Sequence, residues 1–345
     1  MKRLTCFSIF FALAVIISLS ACSSLGSGTT ASGKIIIYTS MYQESIEAVK
    51  KELKKRFPRC DIEFVQGGTG IIETRVAVEK AAGRLGCDIL MVAEPAFSLE
   101  LKGNGMLHPF KSKEASALIF DYDPEGYWYP VRVSNMVLAF NSARNAKNSV
   151  PNSFNDFAND SRVRGAISMR NPLVSGTTLA AMSALIDKYG NSYMDALGRQ
   201  NFHIDYGSDE TITKLENGSC RVSMVLEETI LRKRQEGNTS LEVIYPADGT
   251  IVIPSTIMIV NDKWNANRNT RAAEAIAEWF LSEEGQAAIV AGWMHSVRRD
   301  YPAPPFDSIP INQILDNSIP VSWENVFRQK DNIRRRFEEI VAGRR

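Results

Sequence analysis

The feature that most limits the fold is a strand–loop–helix unit repeated near the start of the chain. Lys34–Tyr38 reads Lys-Ile-Ile-Ile-Tyr. A continuous β-branched run of this kind predicts a strand buried on both faces. Thr39-Ser40 follow, then a helix with Ile46, Val49, Leu53 and Phe57 on one face and lysines on the other, closed by Pro58. Asp61–Val65 predicts a second strand, which runs into Gly67-Gly68-Thr69-Gly70 and a helix from about Ile71. Asp88–Val92 predicts a third, ending at Ala93-Glu94-Pro95. Such repetition requires parallel βαβ units, and open parallel sheets bind ligands at the carboxyl ends of their strands. Ser40, Thr69, Gly70 and Glu94 lie there and are candidate ligand contacts. Gly67–Gly70 lacks the Lys-Ser/Thr of a P-loop and is not Gly-x-Gly-x-x-Gly. It is either a structural turn or a place where backbone approaches something closely.

The same grammar returns further on. Asp121–Tyr129 is aromatic and loop-like; Tyr122, Tyr127, Trp128 and Tyr129 either line a cleft or pack over the loop. Arg132 leads into a strand at Asn135–Phe140. Ala166–Met169 is the next strand, and Ser175-Gly176-Thr177-Thr178 precedes an apolar helix beginning near Leu179. Small hydroxyl residues and a glycine there leave free backbone N–H groups at the positive end of a helix dipole. Ser175, Gly176 and Thr177 thus suit an anion cradle, while a plain Ser/Thr cap remains the alternative. Val222–Leu226 is a strand ending at Glu227-Glu228, where Glu227 is a candidate acceptor and a solvated acidic helix start is the alternative. Leu241–Tyr245 and Ile251–Val260 are further strands. Pro254 inside the latter predicts an edge or a crossing between lobes. Arg271–Leu281 is a helix, and the basic run Arg334-Arg335-Arg336 reads as a solvated face.

The first residues read as a sorting signal. Met1-Lys2-Arg3 is basic, and Cys6–Ile17 is an apolar run too short to span a bilayer. Leu19-Ser20-Ala21-Cys22 places small residues before a cysteine, and Ser23–Gly33 reads as a flexible tether. Roughly 320 residues remain, enough for two domains or one bilobed domain. A hydrophobic content of 44% permits a sizeable core, and a net charge of +1 argues against nucleic acid as a partner. No later apolar run is long enough to span a membrane. Cys60, Cys87 and Cys220 are an odd set that forms neither a disulfide framework nor a metal knuckle. His108, His203 and His295 lie outside any ligand-spaced motif, and no Gly-x-Ser-x-Gly elbow occurs, which argues against an exported hydrolase. No metal site or cofactor is expected from these residues.

Two resemblances add to this reading. Leu19–Cys22 resembles the bacterial lipobox, which implies a lipid on Cys22; an ordinary secretory signal is the alternative. The whole chain resembles the substrate-binding proteins of bacterial ABC importers. The likeness rests on the lipobox, on Ile-Ile-Ile-Tyr-Thr-Ser before an amphipathic helix, and on Cys87–Val92 before a loop. It also rests on Pro151 with Phe154–Phe157, on Ser175-Gly176-Thr177, and on Phe280–Gln286, which looks like the terminal helix of the ferric-iron-type branch. That branch includes binders of phosphorylated sugars and phosphonates. The resemblance implies an α/β fold of the type II periplasmic-binding-protein kind: two lobes with mixed, mostly parallel sheets, closing on a ligand in the cleft between them. Its expected organisation is a lipoprotein signal at 1–21, a tether at 22–33, one lobe from 34–131 and 253–300, and a second from 132–252. The C-terminal helices of 301–345 are expected on the second lobe. In this branch the Ser-Gly-small turn holds the anion, and the resemblance places Arg132 in the segment entering the second lobe, as either a bidentate donor into the cleft or an interlobe salt bridge. Ferric-binding members carry adjacent tyrosines where this chain has Glu227-Glu228, which sets an organophosphate ahead of Fe³⁺ with a synergistic anion. The implied partners are a small anionic solute, an ABC permease and, through the lipid, a membrane; a monomer is expected.

Overall fold

The computed structural model describes residues 31–93 and 95–343. The leader, Cys22, most of the tether and Glu94 lie outside the described residues. β1 (Gly33–Thr39), α1 (Gln43–Arg56), β2 (Cys60–Gln66), α2 (Thr69–Ala81), β3 (Ile89–Ala93), α3 (Ala96–Gly103) and the short β4 (Leu107–His108) come first. β5 (Tyr129–Asn141) then carries the chain onward. Next are α4 (Phe154–Asn159), β6 (Ile167–Arg170), α5 (Gly176–Tyr189), α6 (Ser192–Arg199), β7 (His203–Asp205) and α7 (Ser208–Asn217). β8 (Val222–Leu226), α8 (Glu227–Glu236), β9 (Leu241–Ile244) and β10 (Ile251–Val260) follow. α9 (Thr270–Leu281), α10 (Glu283–Ala291), α11 (Ile311–Asp316) and α12 (Trp323–Ala342) complete the order.

The strands pair in the order β2-β1-β3-β10-β5-β8-β6-β7, with β4 on β10 and β9 on β5. β1 pairs in parallel with β2 and β3, and β6 with β7 and β8. Every antiparallel pair involves β5 or β10. Each lobe is therefore a parallel βαβ sheet, and two long crossing strands join the lobes into one continuous sheet. β5 begins at Tyr129, earlier than the strand expected at Asn135–Phe140, because one strand serves both lobes. Its Tyr129, Val131 and Val133 enter the first lobe's core, and its Met136, Leu138 and Phe140 enter the second's. Pro254 sits where β10 pairs with β5 on one side, one residue before the ladder to β3 begins at Ser255. The missing N–H therefore costs no bond to β3.

Both faces of each lobe are covered. In the first lobe Ile35 and Ile37 meet Ile46, Val49 and Leu53 of α1 and Phe280 of α9. On the other face Leu90 and Val92 meet Ile72 and Val76 of α2. In the second lobe Leu138 and Phe140 meet Leu179 of α5 and Phe337 of α12, while Val137 and Ala139 meet Leu215 of α7 and Ile230 of α8. Each such side chain contributes about 1.5–3 kcal/mol by leaving water.

The C-terminal segment departs from expectation. α12 packs on the second lobe through Val326, Ile333 and Phe337, but Ile311 and Ile314 of α11 join the first lobe's core. Their apolar faces are covered there beside α9 and α10. The run Arg334–Arg336 is not simply solvated: Arg334 reaches Glu73 of α2 at 2.6 Å, and Arg336 pairs with Asp195 of α6. Among the described residues no helix is long and apolar enough to cross a membrane.

Candidate functional site

Where the lobes meet, four helices begin at the wall of one cavity. Their N-cap residues are Tyr42 for α1, Gly68 for α2, Ser175 for α5 and Leu226 for α8, and all four line it. The cause is topological. Each helix follows a strand of a parallel sheet, so its N-terminus emerges at the strand's carboxyl end. The positive ends of four dipoles converge, which favours an anion.

Six expected residues line this cavity together: Ser40, Thr69 and Arg132 with Ser175, Gly176 and Thr177. Ser175 does cap its helix, since its Oγ accepts from Thr178 N at 3.3 Å and from the Thr178 hydroxyl at 2.9 Å. Cap and cradle are thus the same residue; the N–H groups of Gly176 and Thr177 in the first turn have no intrahelical acceptor. Thr177 Oγ1 lies 3.1 Å from Ser175 Oγ. Ser40 Oγ accepts from Ala93 N at 2.9 Å and from Arg132 Nη2 at 3.2 Å. Both lone pairs are used, so its own proton is left to donate.

The two glycines of the Gly67–Gly70 loop that matter are Gly68 and Gly70. A Cβ at either would stand 2.2 Å from a backbone carbonyl of the other lobe, Val174 O for Gly68 and Leu173 O for Gly70. Gly70 N donates to Val174 O at 3.3 Å. Close approach explains this loop, and what approaches it is the opposite lobe. Gly70 itself does not line the cavity.

Arg132 is buried on β5. Its Nη1 donates to Ser134 Oγ at 3.0 Å, and Ser134 Oγ donates to Glu228 Oε1 at 2.8 Å. Burial pulls the guanidinium below its ordinary value, against the opposing charge of Glu228. Burial likewise pushes the Glu228 carboxyl up, offset only in part by Arg132 and the Ser134 hydroxyl. Among the described residues, three buried polar atoms at this wall, Thr69 Oγ1, Arg132 Nε and Arg170 Nε, have no hydrogen-bond partner. Buried donors are normally satisfied, so such a cluster calls for an acceptor.

The acidic pair is arranged differently from expectation. Glu227 does not line the cavity; Glu228 does. The Glu227 carboxylate accepts from Asn135 Nδ2 at 3.0 Å, from Tyr245 at 2.5 Å and from Ser308 at 2.7 Å. It also meets His295 Nε2 at 2.9 Å. Burial alone would raise its pKa, but His295 and the two hydroxyls outweigh burial and hold it below the usual carboxylate range. Two adjacent residues at a helix start point to different sides, and the sequence does not say which faces the cleft. Nor do the aromatics of Asp121–Tyr129 line the cavity. Tyr122 stacks on Tyr129 at 5.3 Å, and the Tyr129 hydroxyl donates to Phe110 O at 2.8 Å.

Arg170 and Tyr42 were not singled out from the sequence. Arg170 closes β6, and its Nη1 donates to Tyr42 Oη at 3.3 Å across the cleft. The available signal was position: a cation at the carboxyl end of a parallel strand, five residues before the Ser-Gly turn. Among the described residues the charged side chains of the lining are Arg132, Arg170 and Glu228, two cations against one carboxylate.

The family model of bacterial extracellular solute-binding proteins matches residues 87–323. No curated protein sequence matches the chain. Iron-bound HitA from Pseudomonas aeruginosa shares its fold with a TM-score of 0.76 and 19% identity, over 89% of this chain and 99% of that one. AfuA from Actinobacillus pleuropneumoniae, with fructose 6-phosphate bound, gives 0.74 and 19%, over 90% and 98%. The substrate-binding protein of an ABC transporter from Agrobacterium tumefaciens gives 0.77 and 16%, over 91% and 96%. One of these structures holds a metal and another a sugar phosphate, on the same fold.

Proposed function

Because the chain belongs to the bacterial extracellular solute-binding proteins, we propose that its cleft captures a phosphorylated or phosphonate-bearing organic solute and delivers it to an ABC permease. The observation that carries this is the unsatisfied donor set, Thr69 Oγ1, Arg132 Nε and Arg170 Nε, at a wall where four helix N-termini converge. The phosphoryl oxygens take bonds from the Gly176 and Thr177 N–H groups, from the hydroxyls of Ser40, Thr69 and Thr177, and from the two guanidiniums. Glu228, in the place expected for Glu227, accepts from a hydroxyl or a retained proton of the ligand. Neither lobe holds the complete donor set, so ligand and lobe closure stabilise each other.

Fe³⁺ with a synergistic anion is the competing cargo, and the donor set disfavours it. A hard trivalent cation prefers anionic oxygens. Among the described residues the lining offers one phenol, Tyr42, and one carboxylate, Glu228, beside two guanidiniums. Among the described residues no group of three His, Cys, Asp or Glu is placed to hold a metal. In this reading the chain is a monomeric, non-enzymatic receptor held to the membrane by a lipid on Cys22. Thermal-shift and calorimetric titration with sugar phosphates, phosphonates, inorganic phosphate and ferric citrate tests the cargo. Saturable binding of an organophosphate supports it; tight Fe³⁺ binding with a visible charge-transfer band, and no response to organophosphates, rejects it.

A further inference from the structure

The anion cavity is too small for a whole organic solute. Its volume is ≈ 30 Å³, room for roughly two or three water-sized groups. That suits a phosphoryl head and nothing larger. A second chamber of ≈ 410 Å³ continues outward from it and shares Ser40, Tyr42, Gly68 and Arg170 with the inner wall. We propose that this outer chamber is a subsite for a polyhydroxylated body, so that the solute is a sugar or polyol phosphate and not free phosphate or a small phosphonate. The inference rests on the anion reading above.

The chemistry of the walls supports it. Tyr42 and Tyr206 supply ring faces, and Tyr206, in the connection between β7 and α7, is 64% exposed. Exposed aromatic faces stack on the C–H surface of a sugar ring while amides bond its hydroxyls. Gln43 and Gln66 supply those amides, Gln66 from the last position of β2. The chamber's two carboxylates, Glu44 and Asp209, are both engaged by the buried Arg232 of α8, at 3.1 and 2.8 Å. Arg232 also holds Glu236 at 3.1 Å, so three carboxylates share one guanidinium, and Glu44 and Asp209 keep acceptor capacity for ligand hydroxyl groups. Glu44 belongs to α1 and Arg232 to α8, so this ion pair also ties the lobes together at the chamber's rim. A body lodged here contacts both lobes and adds to closure.

The test is calorimetry of the purified full chain with fructose 6-phosphate, glycerol 3-phosphate, 2-aminoethylphosphonate, methylphosphonate and inorganic phosphate. At least one of the two hydroxylated phosphates is expected to bind tightest. Tyr206→Ala and Gln66→Ala are expected to weaken that ligand about tenfold or more, the loss of one stacking contact or hydrogen bond. They should leave inorganic phosphate and methylphosphonate within about twofold of wild type, since the inner cavity is untouched. Both residues are at the surface, and an unchanged melting temperature confirms that the variants fold. Inorganic phosphate or aminoethylphosphonate binding as tightly as the best hydroxylated phosphate would overturn the inference, as would sugar-phosphate affinity indifferent to both substitutions. Thr177→Ala separates the two levels. If it weakens every phosphate while Tyr206→Ala weakens none, the chamber alone fails. If Thr177→Ala weakens none, or no phosphate binds, the anion reading beneath it fails.

Discussion

Glu227 and Glu228 are consecutive, both buried, and both at the start of α8, yet they belong to different machines. Glu227 is saturated by Asn135, Tyr245, His295 and Ser308, groups drawn from β5, the β9–β10 connection and the chain after α10. That is a joint, knitting the crossing strand β5 to the chain that returns from the first lobe. Glu228 has one hydroxyl partner, Ser134, and looks across the cavity toward Arg132. That is a site, with capacity left unused. Their pKa values move in opposite directions for the same reason. Burial disfavours both charges; only Glu227 has enough donors to overcome it.

The largest expected effect is on the joint. Glu227→Ala leaves four polar groups, buried Asn135 and His295 and half-buried Tyr245 and Ser308, without their common acceptor. Breaking a buried pair of this kind costs about 3–5 kcal/mol, read as a lowered unfolding free energy in urea. Glu228→Gln keeps the Ser134 bond and removes a costly buried charge, so its stability should match or exceed wild type. Equal losses in the two variants would erase the distinction.

The next effect is on binding. Removing a hydrogen bond to a charged ligand costs roughly 1.5–3 kcal/mol. Thr177→Ala should therefore weaken an organophosphate about ten- to a hundredfold in calorimetry, with little change in the melting temperature of the free protein. Glu227→Gln, away from the cavity, should alter affinity far less than Thr177→Ala.

The smallest effect is on pH, and its sign differs between the neighbours. The folded pKa of Glu227 is depressed, so its stabilisation is present above the unfolded carboxylate value and is lost as pH falls through the folded one. Glu227→Gln should flatten the acid limb of an unfolding-midpoint profile. The folded pKa of Glu228 is raised, so its contribution is present below the unfolded value and is lost as pH rises through the folded one. An anion bound beside Glu228 raises that pKa further. Binding should then take up protons, seen as a dependence of calorimetric enthalpy on buffer ionisation. Glu228→Gln should show less uptake than wild type; equal uptake would separate Glu228 from the ligand.

Much of this was legible in the sequence because strand ends and helix starts have strong local signatures. The Ile run of β1, the Gly67–Gly70 turn and Ser175-Gly176-Thr177 each mark a strand-to-helix turn, and a parallel sheet gathers such turns at one edge. Ser40, Thr69, Ser175, Gly176 and Thr177 of the cavity lining lie at such turns; Arg132, inside β5, was picked out through the family resemblance. What local pattern does not carry is side-chain direction at a helix start, so Glu227 was favoured over Glu228. Nor does it carry long-range pairing. Arg170 reaching Tyr42, and the Tyr245 and Ser308 hydroxyls closing on Glu227, join residues far apart in the chain. α11 was misplaced for the same reason: its two isoleucines fit an apolar face of either lobe, and only the tertiary path chooses.

The most direct test of the central claim is a calorimetric titration of wild type and Arg170→Ala with the tightest-binding organophosphate. Arg170 donates across the cleft to Tyr42 and carries an unsatisfied Nε at the cavity. Saturable binding by wild type, weakened about tenfold or more in the variant through loss of a charge-assisted bond, is the predicted result. An unchanged affinity in Arg170→Ala, or a wild-type protein that takes up Fe³⁺ tightly and no organophosphate, would contradict it.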